Sequence, residues 1–387
     1  MIHTGTVLPA SLDQALHRCI ALASRFGTIR LTKPDHPDVR EFQLELDEPF
    51  TSRLRWTLKK VKFGTELSIG RSLGIARLTT FARRGSAVDR QLARSLRLLP
   101  HVASLKIAVI GGGTGLYTTL LGLRDRSWSL TAVISGLPRG VAVHEPKDQL
   151  GFLPQDDTSL CLVALTPTVE ENVVLRSLLN HRIESHEWRN AHFGTALLRA
   201  LEEISGSRQT ALDRAAELLG IHGRVLLAIG AAQALSDADL IVIAPGHLEL
   251  DLLPVLCCPG VISAVRQSRA LKVVVTKIMT AEHSDDVPLT SRYIAPLSEL
   301  IGSRFDVALA NSGPVSPAQL RAYAAMGAQP IQPDVDETTR YTGRVQTEQL
   351  ATRGDLARHD PEQLGQCLVE IGAEHLLEAS EAVAQGA

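Results

Sequence analysis

The chain has 387 residues, of which 44% are hydrophobic and 21% are charged, and its net charge is −2. This composition is typical of a folded globular protein, excludes a disordered chain and gives no overall bias toward nucleic acid or anionic membranes. No apolar run approaches the roughly 20 residues of a membrane span, and no signal-peptide pattern is found. The five cysteines form no C-x-x-C pair. We therefore expect a cytoplasmic protein with no membrane span.

Charge divides the chain into two parts. Residues 1–100 contain 17 Lys/Arg and 9 Asp/Glu, whereas the remaining residues contain 23 and 33. We therefore predict a basic N-terminal α+β extension over 1–100, a main domain over 105–376 and a C-terminal tail over 377–387. In the extension, the patterns predict helices over Leu12–Arg25 and Asp89–Leu99 and strands over Thr28–Leu31 and Glu41–Leu46.

The extension also carries a basic, partly aromatic segment. Residues 53–84 hold nine Lys/Arg and a single acid, Glu66, with Trp56, Phe63 and Phe81 interleaved. One interpretation is that this segment binds nucleic acid or another anionic partner. The interpretation that we prefer is a solvated basic face that docks onto the acidic main domain, so nucleic acid is not the expected partner.

From Leu105 onward, apolar strands alternate with helices. The predicted strands are Lys106–Ile110, Leu130–Ser135, Asp239–Ile243, Lys272–Thr276 and Asp306–Ala310. The predicted helices run from the glycine loop to Leu123 and over Glu170–Asn180, Phe193–Ile204 and Thr210–Leu219. Continuous aliphatic strands between helices predict the α/β class, with a Rossmann-like open, mostly parallel sheet and helices on both faces.

A glycine loop follows the first of these strands, in the sequence KIAVIGGGTGL. Glycines permit a tight turn and a close approach of the backbone to a phosphate, and the following helix N-terminus favours an anion. The loop therefore predicts a phosphate-bearing, nucleotide-type ligand, although a tight turn without a ligand stays open. Leu116 replaces the third glycine of a dinucleotide fingerprint and no G-K-[ST] follows, which argues against NAD and against a Walker A site.

Six segments in order resemble the CofD-like family, and within it the gluconeogenesis-factor (YvcK-like) branch. They are Gly111–Leu116 (GGGTGL), Leu150–Leu165 (LGFLPQDDTSLCLVAL), Gly223–Leu226 (GRVL), Ala238–Val261 (ADLIVIAPGHLELDLLPVLCCPGV), Lys272–Thr280 with its final Met-Thr, and Arg358–Pro361 (RHDP). The family contains 2-phospho-L-lactate transferases and bacterial regulators of carbon metabolism and cell shape that bind UDP-sugars.

The resemblance implies two possible functions, and one segment in which this chain differs from the family favours one of them. The family carries an acidic DDGGSSG segment tied to metal and phosphate chemistry, where this chain has Pro138–His144 with Arg139. Because paired carboxylates are the ligands that magnesium prefers, their loss favours a regulator that binds a nucleotide or UDP-sugar without catalysis. The alternative is a transferase of a phosphorus-containing group, in which Asp157 is catalytic and Mg²⁺ is a cofactor; otherwise we expect no metal.

The resemblance and the loop together give a set of candidate ligand-binding residues. These are Gly111, Gly112, Gly113, Thr114, Gly115, Leu116, His192, Pro245, Gly246, His247 and Arg358. For three candidates a structural role stays open: Asp157 as a helix-capping acid, His192 as a packed histidine, and Arg358 in an exposed ion pair with Asp360. A nucleotide-type small molecule is the expected partner, and a homodimer is left open.

Overall fold

A computed structural model describes strands 27–32, 39–46, 56–57, 68–69 and 76–83, and most of residues 98–386. In that second range the description omits residues 99–100, 103, 125, 128, 138–146, 149–150, 155, 167–168, 184–191, 222, 282–286, 353 and 355. The chain divides into two units, one formed by Leu105–Gly372 and the other by Met1–Ser104 with Ala373–Ala387.

The N-terminal unit contains short antiparallel sheets. Strands β1 (Gly27–Thr32), β2 (Val39–Leu46) and β5 (Ala76–Arg83) form one sheet in the order β1-β2-β5, and β3 (Trp56–Thr57) pairs with β4 (Ser68–Ile69). The first two strands correspond to the strands predicted there. The helix predicted over Leu12–Arg25 lies outside the described residues, as does the one over Asp89–Leu99 apart from Leu98.

The main unit is built on a seven-stranded parallel sheet. Its strands are β6 (Lys106–Ile110), β7 (Ser129–Ile134), β10 (Arg224–Leu227), β11 (Leu240–Ile243), β12 (Leu271–Val275), β13 (Phe305–Asn311) and β14 (Thr342–Glu348). They are ordered β10-β7-β6-β11-β12-β13-β14, and every neighbouring pair is parallel. The short strands β8 (Lys147–Asp148) and β9 (Gly151–Phe152) pair with each other. The predicted Rossmann-like α/β fold is confirmed.

Helices connect these strands. They are α1 (Gly113–Leu123), α2 (Asp157–Ala164), α3 (Val169–Asn180), α4 (Phe193–Ser205), α5 (Arg208–Leu218), α6 (Ala232–Asp237), α7 (Leu253–Leu256), α8 (Val261–Gln267), α9 (Thr290–Ile301), α10 (Pro317–Ala324), α11 (Val335–Thr338) and α12 (Pro361–Gly386). A 3₁₀ turn (Ala228–Gly230) precedes α6, and a π-helical turn (Leu248–Leu252) leads into α7.

The central strands are buried on both faces, as their continuous aliphatic sequences require. All four residues of β11 are buried, and one large apolar cluster joins β6, β11 and β13 to residues of α6, α8 and α9. Elsewhere in the unit, glycine permits α1 and α12 to touch backbone to backbone. A Cβ on Gly122 would lie 2.1 Å from the carbonyl oxygen of Pro361, and one on Gly365 would lie 2.1 Å from that of Gly122.

The direction of the chain through the sheet reverses between β6 and β11. From β6 the chain moves outward to β7, and after β10 it returns to β11 and continues outward on the other side through β12, β13 and β14. A crevice opens beyond the carboxyl ends of the strands at such a reversal, and open α/β sheets bind their ligands there. The glycine loop and the segment after β11 are the two loops at this point.

Among the described residues, no single helix has the length and the apolar composition of a membrane span. One bent pair of helical segments, Leu248–Leu256 and Val261–Gln267, reaches that length and composition when the two are taken together.

Candidate functional site

The glycine loop packs directly against the segment that follows β11. Gly113 has a φ of +64°, in the left-handed region that favours glycine, and it begins α1. A Cβ on Gly115 would lie 1.6 Å from the carbonyl oxygen of Pro245, and one on Gly111 would lie 3.0 Å from the Cβ of Ala244. These glycines therefore allow the two loops to close on each other at the point where the sheet order reverses.

The first amides of α1 differ in what they bind. The Gly113 N–H donates to Oδ1 of Asp157 over 2.7 Å. Within the described structure, the N–H groups of Thr114 and Gly115 have no hydrogen-bond partner, and both residues are partly exposed. Since a helix N-terminus carries partial positive charge, two amides remain that can bind an anion.

Asp157 is the residue that fixes this arrangement. It is the first residue of α2 and is buried, while its neighbour Asp156 caps that helix by accepting the N–H of Ser159 over 2.8 Å. Asp157 thus ties the start of α2 to the glycine loop, although the two segments are 44 residues apart in sequence. The sequence left a structural role and a ligand contact open for Asp157, and this bond to Gly113 supports the structural role.

The loop after β11 has its amides engaged by side chains. The hydroxyl of Tyr293, in the first turn of α9, accepts the Gly246 N–H over 3.2 Å and donates to the Gly246 carbonyl over 3.0 Å. Oδ2 of Asp251 accepts the His247 N–H over 2.7 Å. The predicted residues Pro245, Gly246 and His247 therefore lie at the crevice, but the amides of Gly246 and His247 are already used within the protein.

Burial and the nearby Asp251 carboxylate raise the pKa of Tyr293. Both effects disfavour the phenolate, so the hydroxyl keeps its proton and continues to donate to Gly246 at neutral pH. The ammonium of Lys277, which follows β12, lies 5.9 Å from the centroid of the Tyr293 ring. Sequence reasoning missed Tyr293, Asp251 and Lys277. Only Lys277 had an available signal, because it follows a buried strand at its carboxyl end.

His192 lies at the start of α4, near the start of α2. It occupies the N-cap position without a side-chain cap, and its Nδ1 is 3.2 Å from the carbonyl oxygen of Asn180. A Cβ on Gly194 would lie 3.1 Å from Oγ of Ser159, a buried hydroxyl that has no hydrogen-bond partner in the described structure. The start of α4 thus lies against α2, whose first residue is bonded to the start of α1. His192 stays a predicted ligand contact, with a structural role as the alternative.

Arg358 lies on the segment that leads to α12. The carboxylate of Asp360 accepts the N–H groups of Glu362 and Gln363 over 2.8 and 3.2 Å, so it caps α12. This capping role of Asp360 leaves the ligand contact of Arg358 a prediction, beside the structural alternative. The adjacent His359 is buried and is hydrogen-bonded to the backbone of Thr276, the residue directly after β12. Arg358 therefore lies next to a residue anchored at the carboxyl edge of the sheet.

Burial lowers the pKa of His359 to about 4, against the opposing effect of its bond to the Thr276 backbone. Within the described structure its Nε2 has no hydrogen-bond partner. His359 is therefore neutral at physiological pH.

No three His, Cys, Asp or Glu side chains come together as a potential metal site in the part of the chain that the structure describes. The segment Pro138–His144, including Arg139, lies outside the described residues.

Known proteins are similar to this chain in sequence and in fold. The family model described as "2-phospho-L-lactate transferase CofD" matches residues 107–230 and 227–351, together more than half of the chain. A "Putative gluconeogenesis factor" from Clostridium acetobutylicum is 26% identical over 314 residues, which is 68% of this chain and 69% of that protein. The "Gluconeogenesis factor" from Bacillus subtilis is 26% identical over 315 residues, covering 69% of this chain and 98% of that protein.

One solved structure shows the same fold. The crystal structure of a UPF0052-family protein from Bacillus halodurans covers 68% of this chain and 99% of its own, with a TM-score of 0.59 and 23% sequence identity. The family model, the relatives and the parallel sheet lead to one assignment. The chain belongs to the CofD-like family, in its gluconeogenesis-factor branch.

Proposed function

We propose that this protein binds the phosphate of a nucleotide or UDP-sugar on the amides of Thr114 and Gly115, and that it acts in the cytoplasm as a regulator of carbon metabolism or cell shape without catalysis. One observation carries the proposal: these two amides, at the reversal of the sheet order, have no partner among the described residues. The names of the relatives support the regulatory role.

The geometry supports an anionic ligand in two further ways. The Asp157 carboxylate accepts the Gly113 N–H, so it holds the loop in shape while the next two amides are left for the ligand. Because the Gly246 and His247 amides are engaged by Tyr293 and Asp251, the phosphate is expected on the glycine loop. The loop after β11 then forms a rigid wall beside the sugar or the base.

Isothermal titration calorimetry with UDP-GlcNAc, GDP, GTP and uridine tests the proposal. We expect at least one phosphate-bearing ligand to bind and uridine to bind far more weakly. Thr114→Asp places a carboxylate at the phosphate position, so the affinity for the phosphate-bearing ligand should fall by about 30-fold or more. Because a negative charge at a helix N-terminus is stabilising, the stability of the protein should be maintained. Thr114→Asn, which is nearly isosteric and neutral, is the matched control and should retain binding.

Two outcomes would contradict the proposal. One is the absence of binding by all phosphate-bearing ligands to a folded wild-type protein. The other is equal affinity of Thr114→Asp and Thr114→Asn, which would remove the loop from the site.

The family model's own description, a transferase, favours a second candidate function. In it, Asp157 would act in the transfer of a phosphorus-containing group with Mg²⁺. Among the described residues, no three His, Cys, Asp or Glu side chains meet, and the Asp157 carboxylate already accepts the Gly113 N–H. Magnesium-dependent turnover that disappears in Asp157→Asn, with the fold intact, would establish the transferase and contradict the non-catalytic proposal.

A further inference from the structure

Lys277 places a cation at the same edge of the sheet as the glycine loop. Strand β12 ends at Val275, so Thr276 and Lys277 follow it directly at the carboxyl edge. Strand β12 neighbours β11, and β11 neighbours β6. With strands spaced about 4.8 Å apart, the ends of β6 and β12 are separated by roughly 10 Å. The extended side chain of a lysine can bridge part of that distance.

Two contacts hold this part of the edge in a defined arrangement. The ammonium of Lys277 lies 5.9 Å from the centroid of the Tyr293 ring, within the range of a cation–π interaction. The hydroxyl of the same tyrosine holds the Gly246 peptide from both its N–H and its carbonyl. The ammonium is therefore placed beside the loop that forms one wall of the crevice.

Lys272, within strand β12, has a different environment. Lys272 lies near the amino end of β12, and its Nζ donates to the carbonyls of Ser268 and Ala270 over 2.8 and 3.2 Å. That lysine satisfies the backbone of the preceding turn and has a structural role. Lys277 lies just beyond the opposite end of the strand and is half-buried, with its ammonium near the Tyr293 ring.

We propose that Lys277 binds the second phosphate of a nucleoside diphosphate whose other phosphate lies on the Thr114 and Gly115 amides. The inference rests on the proposed function and extends it, because it makes Lys277 a specificity-determining residue that selects diphosphates over monophosphates. An ammonium is a compact point charge suited to a phosphate, and it neutralises part of the charge of the diphosphate without a metal ion.

Titration of the full-length protein with UDP, UMP and uridine tests the assignment. We expect the wild type to bind UDP more tightly than UMP. In Lys277→Gln, affinity for UDP should fall roughly 10- to 100-fold, while affinity for UMP should change by less than about 3-fold. The salt dependence of UDP binding should also weaken, because one charge is lost from the site.

Two controls separate charge from structure. Arg269→Gln removes one exposed cation at the amino edge of the same strand and should leave UDP affinity unchanged. Lys277→Met retains the packing against Tyr293 but removes the charge, so it should reproduce the loss seen in Lys277→Gln even if the latter is poorly folded.

Wild-type affinity for UDP in both Lys277 variants, or an equal loss for UDP and UMP, would overturn the assignment of Lys277 while leaving the glycine-loop site intact. By contrast, a folded wild type that binds neither UDP nor UMP, nor UDP-GlcNAc, GDP or GTP, would overturn the proposed function itself.

Discussion

Two loops meet where the order of the strands reverses, and they differ in how their backbone is used. In the glycine loop, Gly113 donates to Asp157, and the next two amides have no partner in the described structure. In the loop after β11, the amides of Gly246 and His247 are bonded to side chains of the protein. The comparison shows that proximity to the crevice is insufficient to identify an anion site, because the amides must also be available.

Separating the two loops should destabilise the protein most. In Gly115→Ala the new Cβ would lie 1.6 Å from the Pro245 carbonyl oxygen, so the loops must separate. We expect the free energy of unfolding to fall by about 3 kcal/mol. Urea unfolding measures the change, with Gly230→Ala as the control because nothing lies within 4 Å of a Cβ there. Equal stability of the two variants would contradict the observed packing.

At acidic pH, His359 should reduce the stability of the folded protein. Its pKa is lowered to about 4 in the folded protein, against 6.5 ordinarily, so between these values the unfolded chain takes up a proton that the folded chain does not. This contribution to stability is complete above pH 6.5 and decreases as the pH falls toward 4, by roughly 3 kcal/mol in total. Urea unfolding at several pH values measures it, and His359→Gln should show a smaller decrease. Identical pH dependence in the variant would rule out this origin.

Replacing Asp157 tests how the glycine loop differs from the loop after β11, because its carboxylate accepts the Gly113 N–H. In Asp157→Ala the Gly113 N–H loses its acceptor in a buried position, which should cost about 2 kcal/mol of stability. Asp157→Asn retains an oxygen that can accept this bond and should cost less than about 1 kcal/mol. Thermal unfolding of the two variants provides the test. A loss for asparagine as large as that for alanine would mean that the charge, and not the hydrogen bond, is required.

The smallest expected effect concerns the second loop. Tyr293→Phe removes both hydrogen bonds to Gly246 and should reduce stability by about 1 kcal/mol. It should also accelerate hydrogen exchange at the Gly246 amide, measured by mass spectrometry of peptides that cover residues 244–248. Unchanged exchange in a folded variant would show that the tyrosine does not hold this peptide.

Much of the main fold could be predicted because its strands are buried on both faces. Strand β6 has the predicted bounds, and β7, β11, β12 and β13 differ from the predictions by one residue at one or both ends. Strands β10 and β14, at the two edges of the sheet, were not predicted. Strand β14, TGRVQTE, is polar and largely exposed, so it lacks the continuous apolar run that marks a buried strand.

The site was less predictable, since its bonds join residues that are far apart in sequence. A glycine pattern located the first loop and the family resemblance located the second, but the bonds of Asp157 to Gly113 and of Tyr293 to Gly246 span 44 and 47 residues. A single sequence does not indicate which amides such side chains occupy. For the same reason, the capping role of Asp360 could not be distinguished from an ion pair with Arg358.

An amide ¹H–¹⁵N NMR titration of the full-length protein with UDP, with uridine as the phosphate-free reference, would show which amides bind the phosphate. We predict that UDP, but not uridine, shifts the amide signals of Thr114 and Gly115 strongly, whereas those of Gly246 and His247 move little. The largest shifts at Gly246 and His247, or no UDP-specific shift at Thr114 and Gly115, would contradict the account.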